Sequence, residues 1–212
     1  MIHDLDKSIR EMLVAEINEQ THHTISFSQE NISFDPPVEN ANESAILPAL
    51  NIFLYDIREN VELRSNEHHE VVTQNDEHID EHLFLAGPTA VDCSYIITAK
   101  AGDIESEHLL LGSVMSCLLR YPKIPKKYLQ GVIKYQKYEL PMISLQAGRI
   151  QSMGEFWQAI GGTPKAALHV AVTLSVIPHE PVSLIYPMPP ESMEIRVVDK
   201  ENEESKKNEE LK

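Results

Sequence analysis

The sequence predicts an α+β fold: a mostly antiparallel sheet with helices packed on it, in a single domain with an extended C-terminal arm. Three observations carry this. The elements run helix, strands, helix, hairpin, helix, strand, without the regular strand–helix alternation of a doubly wound fold. Residues 50–63 and 90–101 are apolar on both faces near their middles, as in a central strand or one whose outer face meets a neighbouring subunit. Residues 166–177 alternate without a break, with Leu168, Val170, Val172, Leu174 and Val176 on one face.

In chain order, residues 4–18 read as an amphipathic helix, because Leu5, Ile9, Met12, Leu13 and Ile17 follow the helical period and Asp4 caps the first turn. Residues 24–34 hold two short alternating runs, Ile25 with Phe27 and Ile32 with Phe34. Pro36 and Pro37, after Asp35, then stop regular structure, since neither donates to a ladder. In the strand over 50–63, Leu50, Ile52 and Leu54 are expected on one face and Phe53, Tyr55 and Ile57 on the other. In that over 90–101, Val91, Cys93, Tyr95 and Ile97 alternate against Asp92, Ser94 and Thr98. Between them, residues 64–86 are acidic and rich in histidine, and a connection of that length reads as a mobile loop that orders against a partner.

Residues 104–121 form a second helix capped by Asp103. Its stripe of Leu110, Leu111, Val114, Met115, Leu118 and Leu119 is wide enough to predict near-complete burial, while Gly112, Ser113 and Ser116 keep one side small. Tyr121 precedes Pro122 and ends it. Residues 132–145 read as two strands broken at Pro141. Ser152 and Glu155 make a capping box that opens a short helix carrying Phe156, Trp157 and Ile160, closed by Gly161 and Gly162. Five of the 13 prolines lie between Pro178 and Pro190, which predicts an extended arm over 178–198. Residues 193–198 in that arm could add a strand to another subunit's sheet edge. The charged tail over 199–212 is too poor in apolar residues to fold. The expected divisions are therefore 1–177, 178–198 and 199–212.

The chain has 212 residues, of which 42% are apolar and 24% charged, ordinary values for a globular protein. No run approaches the roughly 18 apolar residues of a membrane helix, and the N-terminus lacks the pattern of a signal peptide, so cytoplasmic synthesis is expected. A formal charge of −15 argues against sequence-independent nucleic-acid binding and against an anionic membrane surface. Cys93 and Cys117 sit among apolar neighbours without metal-ligand spacing, and read as two buried thiols.

Chemistry is sparse. His78 and His82 stand four apart with Glu77, Asp80 and Glu81 beside them, but no apolar stripe fixes a helix there and no third ligand is evident. Glu107 and His108 are adjacent, and adjacent helical residues diverge by about 100°, so they make no acid–base pair by themselves. No serine lies in a nucleophile elbow, and Gly161-Gly162 lacks the setting of a phosphate loop. No catalytic residue, metal site or cofactor is expected. Trp157 reads as a core anchor or an interface hot spot. Arg58 with Glu59 reads as an intersubunit ion pair or an ordinary surface pair.

Five stretches in order carry a resemblance: residues 51–60 (Asn-Ile-Phe-Leu-Tyr-Asp-Ile-Arg-Glu-Asn), 94–100 (Ser-Tyr-Ile-Ile-Thr-Ala-Lys), 107–112 (Glu-His-Leu-Leu-Leu-Gly), Tyr121-Pro122, and 156–161 (Phe-Trp-Gln-Ala-Ile-Gly). Together the sequence resembles the N-terminal domain of the tail-terminator (cap) proteins of contractile injection systems, the phage-tail-like particles of the antifeeding-prophage and virulence-cassette type. The resemblance covers roughly residues 1–177. It implies a structural protein, not an enzyme: a homo-oligomeric ring, six-fold, seated on the distal end of inner tube and sheath, where it stops polymerisation and fixes length, in a particle that is released. It implies tube and sheath proteins as partners, with Leu54, Tyr55, Asp56, Arg58, Glu59, Asn60, Glu107, His108 and Trp157 as interface candidates. The acidic stretch over 64–86 is longer and more acidic than the resemblance leads one to expect. The alternative is a non-catalytic adaptor that binds a toxin or baseplate component of the same kind of particle.

Overall fold

The computed structural model describes residues 1–20, 27–38, 46–64, 68–74, 80–136, 138–146, 150–177 and 182–183. Its helices are α1 (Ile2–Gln20), α2 (Ile104–Arg120) and α3 (Met153–Ala159). Its strands are β1 (Ile32–Ser33), β2 (Ala49–Glu59), β3 (His68–Gln74), β4 (Asp80–Ala86), β5 (Thr89–Lys100), β6 (Met142–Ser144), β7 (Leu168–Val176) and β8 (Val182–Ser183).

Two compact units result. The larger is α+β, built on a five-stranded sheet of order β1-β2-β5-β7-β6. Only the two-residue β1 runs parallel to its neighbour; the other pairings are antiparallel. The register makes one face of this sheet apolar. Leu50, Ile52 and Leu54 lie opposite Ala99, Ile97 and Tyr95, and Cys93 and Tyr95 opposite Val172 and Val170. Against this face pack Leu5, Ile9, Met12, Leu13 and Ile17 of α1, and Leu110, Val114, Cys117 and Leu118 of α2, in one continuous core. The five α1 residues are those that the helical period selects, and Ser8 shares their face because its hydroxyl bonds the Asp4 carbonyl.

The opposite face is mixed. Asp92, Ser94, Thr98 and Thr173 are buried there, and the Thr173 hydroxyl and the Asn60 amide both donate to Asp92. Beside them Ile96 lies between Phe53 and His169 and is fully buried. Ser152 caps α3 by accepting from the Glu155 amide at 3.3 Å, one half of the expected capping box. Trp157 on this helix is 2% exposed. Gly161 closes the helix in the left-handed region at φ 68°.

The second unit is a three-stranded sheet of order β3-β4-β8, with β4 and β8 antiparallel through Leu83–Ser183 and Phe84–Val182.

Four expectations change. Residues 64–86, read as a loop, contain β3 and β4; polar and charged residues in both masked their strand character. The strand over 50–63 stops at Glu59, and Asn60 caps a 3₁₀ turn over Val61–Leu63. Within it the register slips between Leu54 and Asp56, so Tyr55 is an extra residue and Ile57 lies opposite Cys93, on the face of Leu54 rather than that of Phe53. Residues 132–145 hold a 3₁₀ turn over Gly131–Tyr135 and the three-residue β6 instead of two strands. Residues 24–26 of the first alternating run, the strand expected over 193–198 and the tail over 199–212 lie outside the described residues.

Candidate docking surfaces

Most of α2 is held by physics that leaves no doubt about its direction. Asp103 accepts from the Ser106 amide and hydroxyl at 2.9 and 2.8 Å, and these bonds hold its carboxyl below the usual carboxylate range. Yet the burial expected all round the helix is found on one side only. Ile104, Leu109 and Leu119 are 69%, 58% and 62% exposed, and Met115 joins them. The small residues among them withdraw their polarity: Ser113 and Ser116 donate to the carbonyls of Leu109 and Gly112, one turn back. A Cβ at Gly112 would meet nothing within 4 Å. The result is an apolar helix face with a shallow centre, open to solvent. Met115 and Leu119, expected to be buried with Leu110, Leu111, Val114 and Leu118, stay outside with Ile104 and Leu109, although a stripe that broad reads as burial on every side.

The second surface is the outer side of β2. β1 covers it only at Leu50 and Asn51, and among the described residues no strand pairs with it from Ile52 to Glu59. Such a row of backbone donors and acceptors is a template for an added strand. The bulge at Tyr55 aims this ring across the sheet, edge-on to Phe156 and His169 at 6.0 and 6.1 Å between centroids. Burial lowers the His169 pKa by penalising the charged imidazolium.

The candidate residues separate by place. Leu54 is half-buried against the core. Asp56 and Arg58 pair with each other at 2.9 Å, and Glu59 pairs with Arg64 at 2.6 Å, so Arg58 and Glu59 each have a partner other than one another. The Arg64 bond holds the Glu59 carboxyl low. Asn60 joins β2 to Asp92 of β5 and accepts from the Leu63 amide. Glu107 accepts from the Ala101 amide at 3.3 Å and lines a cleft of about 270 Å³ with Asn51, Lys100 and Lys165. His108 is exposed on α2. Trp157 is enclosed, its ring edge-on to Phe156. The six residues of β2 and its following turn thus share one element, Glu107 and His108 lie on another, and Trp157 is covered by its own chain.

Among the described residues no group of His, Cys, Asp and Glu has the arrangement of a metal site; His78 lies outside them. Burial raises the thiol pKa of Cys93 to about 11 and of Cys117 to about 12, so neither is a nucleophile at neutral pH. Glu16 is a buried carboxylate, but Arg120, Tyr121 and Tyr128 saturate it from three positions, which is the work of a structural tie. Among the described residues no helix is long and apolar enough to cross a membrane.

The sequence matches the family described as the Pvc16 N-terminal domain over residues 4–185. The chain belongs to this family. No curated protein matches it. Among solved structures, this Pvc16 N-terminal domain is similar to the sheath/tube terminator of an extracellular contractile injection system, PVC, in the extended state. The two are 25% identical with a TM-score of 0.57, over 87% of this chain and 57% of that one. The tube-terminating cap of the anti-feeding prophage shares its fold, at 22% identity and a TM-score of 0.55, over 89% of this chain and 58% of the cap. This Pvc16 N-terminal domain therefore spans less than three fifths of the length of either neighbour. One neighbour is named as the sheath/tube terminator of a contractile injection system and the other as a cap that terminates a tube.

Proposed function

We propose that this protein is a terminator subunit of a contractile injection particle: a structural component that closes into a ring, six-fold, on the distal end of tube and sheath, stops their polymerisation and so fixes their length. The observation that carries this reading is the family match over residues 4–185, with a sheath/tube terminator as structural neighbour. The surfaces support it. A closed ring joins subunits head to tail, so each needs two different faces that do not complement themselves. The apolar face of α2 and the uncovered side of β2 are two such faces on two different elements. In this reading Leu54, Tyr55, Asp56, Arg58, Glu59 and Asn60 serve one side of the joint, Glu107 and His108 belong to the other, and Trp157 holds α3 beneath it.

The experiment is light scattering on the purified protein across concentration, repeated with cognate tube and sheath proteins, with electron microscopy of the tube ends. Six copies in a ring at one end, and tubes that stop lengthening, support the proposal. A monomer that leaves tube growth unaltered overturns it.

A further inference from the structure

The net charge of −15 hides an uneven distribution. Arg120, Lys123, Lys126, Lys127, Lys134 and Lys137 are six of the 18 basic residues, and none of the 33 acidic residues lies between 108 and 138. The fold anchors this stretch instead of leaving it as a loop. Two 3₁₀ turns, Lys126–Tyr128 and Gly131–Tyr135, bury Tyr128, Leu129 and Ile133 against the core and hold their neighbours on the surface. A small cleft of about 80 Å³ brings Lys123, Lys126, Lys134 and Tyr138 together around the single carboxylate of Glu139, whose pKa Lys123 and Lys126 lower.

The charges are unequally spent. Arg120 bonds Glu16 at 2.8 Å and Lys123 bonds Glu139 at 2.5 Å, and Lys127 lies 3.8 Å from Glu16 and over the Tyr128 ring. Lys126 and Lys134 make no ion pair among the described residues. Beside Lys134 stand two uncovered apolar side chains, Tyr135 at 85% and Val132 at 58% exposure. Lysines on anchored turns, mixed with exposed tyrosine, combine a charge that steers a partner with rings that grip it.

We propose that this basic, tyrosine-bearing face docks an acidic protein segment in which Asp or Glu residues are interspersed with apolar ones. Charge complementarity selects the acidic partner, and Tyr135 and Val132 select one with apolar side chains. A nucleic acid fits less well, because a long polyanion must also approach the remainder of the chain, which carries 12 basic against 33 acidic residues. A short segment escapes that repulsion, since at physiological salt the field of the acidic surface decays within about 8 Å. The inference does not depend on the terminator reading, and a protein that failed to cap tubes would still show it.

The test is fluorescence anisotropy of the intact protein with a labelled peptide of repeating Glu-Glu-Leu, a matched peptide of repeating Glu-Glu-Ser, and an oligo-dT strand. The double variant Lys126→Glu/Lys134→Glu is expected to weaken the leucine peptide about tenfold or more and to flatten its salt dependence. Tyr135→Ser is expected to weaken it about threefold and leave the serine peptide unchanged. Lys7→Glu, exposed on α1, serves as the control for net charge and is expected to change neither. Circular dichroism establishes that each variant is folded. The proposal fails if the double variant binds the leucine peptide like wild type, if the two peptides bind alike, or if oligo-dT binds at least as tightly.

Discussion

Replacing Glu16 tests whether one carboxylate ties together three segments of the core. It is fully buried in α1 and accepts hydrogen bonds from the Tyr128 hydroxyl at 2.7 Å, the Tyr121 hydroxyl at 2.8 Å and the Arg120 guanidinium at 2.8 Å. Its own helix supplies none of these partners, which lie more than 100 residues away. A hydrogen bond to a charged group contributes about 1.5–3 kcal/mol. The Arg120 side chain is 47% exposed and is rehydrated when its partner goes, so its share is nearer 1 kcal/mol. Two tyrosine bonds at the low end plus that share give about 4 kcal/mol for Glu16→Ala. Glu16→Gln keeps the shape and one acceptor but turns an amide donor toward a donor, and about 2 kcal/mol is expected. Urea unfolding at pH 7.5, followed by far-ultraviolet circular dichroism and by Trp157 emission, reads both values. Burial alone would raise the Glu16 pKa, but the two tyrosines, Arg120 and Lys127 outweigh it and the net shift is downward. The contribution is therefore present above the ordinary carboxylate pKa of about 4.3 and is lost as the pH falls through the lower folded value. The gap between wild type and Glu16→Gln must close on acidification. A Glu16→Ala variant within about 0.5 kcal/mol of wild type, or a gap that widens toward low pH, would refute this account.

Leu109→Lys/Leu119→Lys on the open face of α2 is expected to change unfolding stability by less than about 0.5 kcal/mol while abolishing ring formation on tubes; the two assays together separate docking from folding. Gly131 sits at φ 57°, in the left-handed region, and an added Cβ would push the Asp4 carboxylate aside, so Gly131→Ala is expected to cost about 1–2 kcal/mol in urea unfolding, and a neutral result would deny the left-handed backbone at this turn. Cys93 and Cys117 are expected to resist an aromatic disulfide reagent at pH 8 and to react fully in urea; prompt reaction in buffer would contradict their burial.

What the sequence revealed depended on whether the deciding forces were local. The stripe from Leu5 to Ile17 and the alternation from Leu168 to Val176 each mark a face against the core, and both elements form, although α1 begins at Ile2, so that Asp4 lies within its first turn instead of capping it. Asp103 and Ser152 cap α2 and α3 because a cap needs only residues three positions away. The failures come from long-range causes. The bulge at Tyr55 reflects rings contributed by Phe156 and His169, far along the chain, and no pattern within β2 announces it. α2 is apolar beyond the width its own core covers, and the sequence does not say which part stays outside. Of the candidate interface residues, the run from Leu54 to Asn60 was legible as one strand and its end, whereas the pairing of Glu59 with Arg64 needed the 3₁₀ turn that follows. The basic face went unseen because a whole-chain charge averages it away.

The two margins of the larger sheet are unlike. On the far side of β6 the backbone bonds Ile124 to Leu140 and Met142 to Pro122, so residues 122–124 lie along that margin. Pro122 and Pro125 flank Lys123 there, and neither has an amide hydrogen to offer a newcomer. Along β2, by contrast, no strand among the described residues pairs with the outer row from Ile52 to Glu59. Prolines on one margin and none along residues 52–59 of β2 make the β2 margin the one better suited to an added strand.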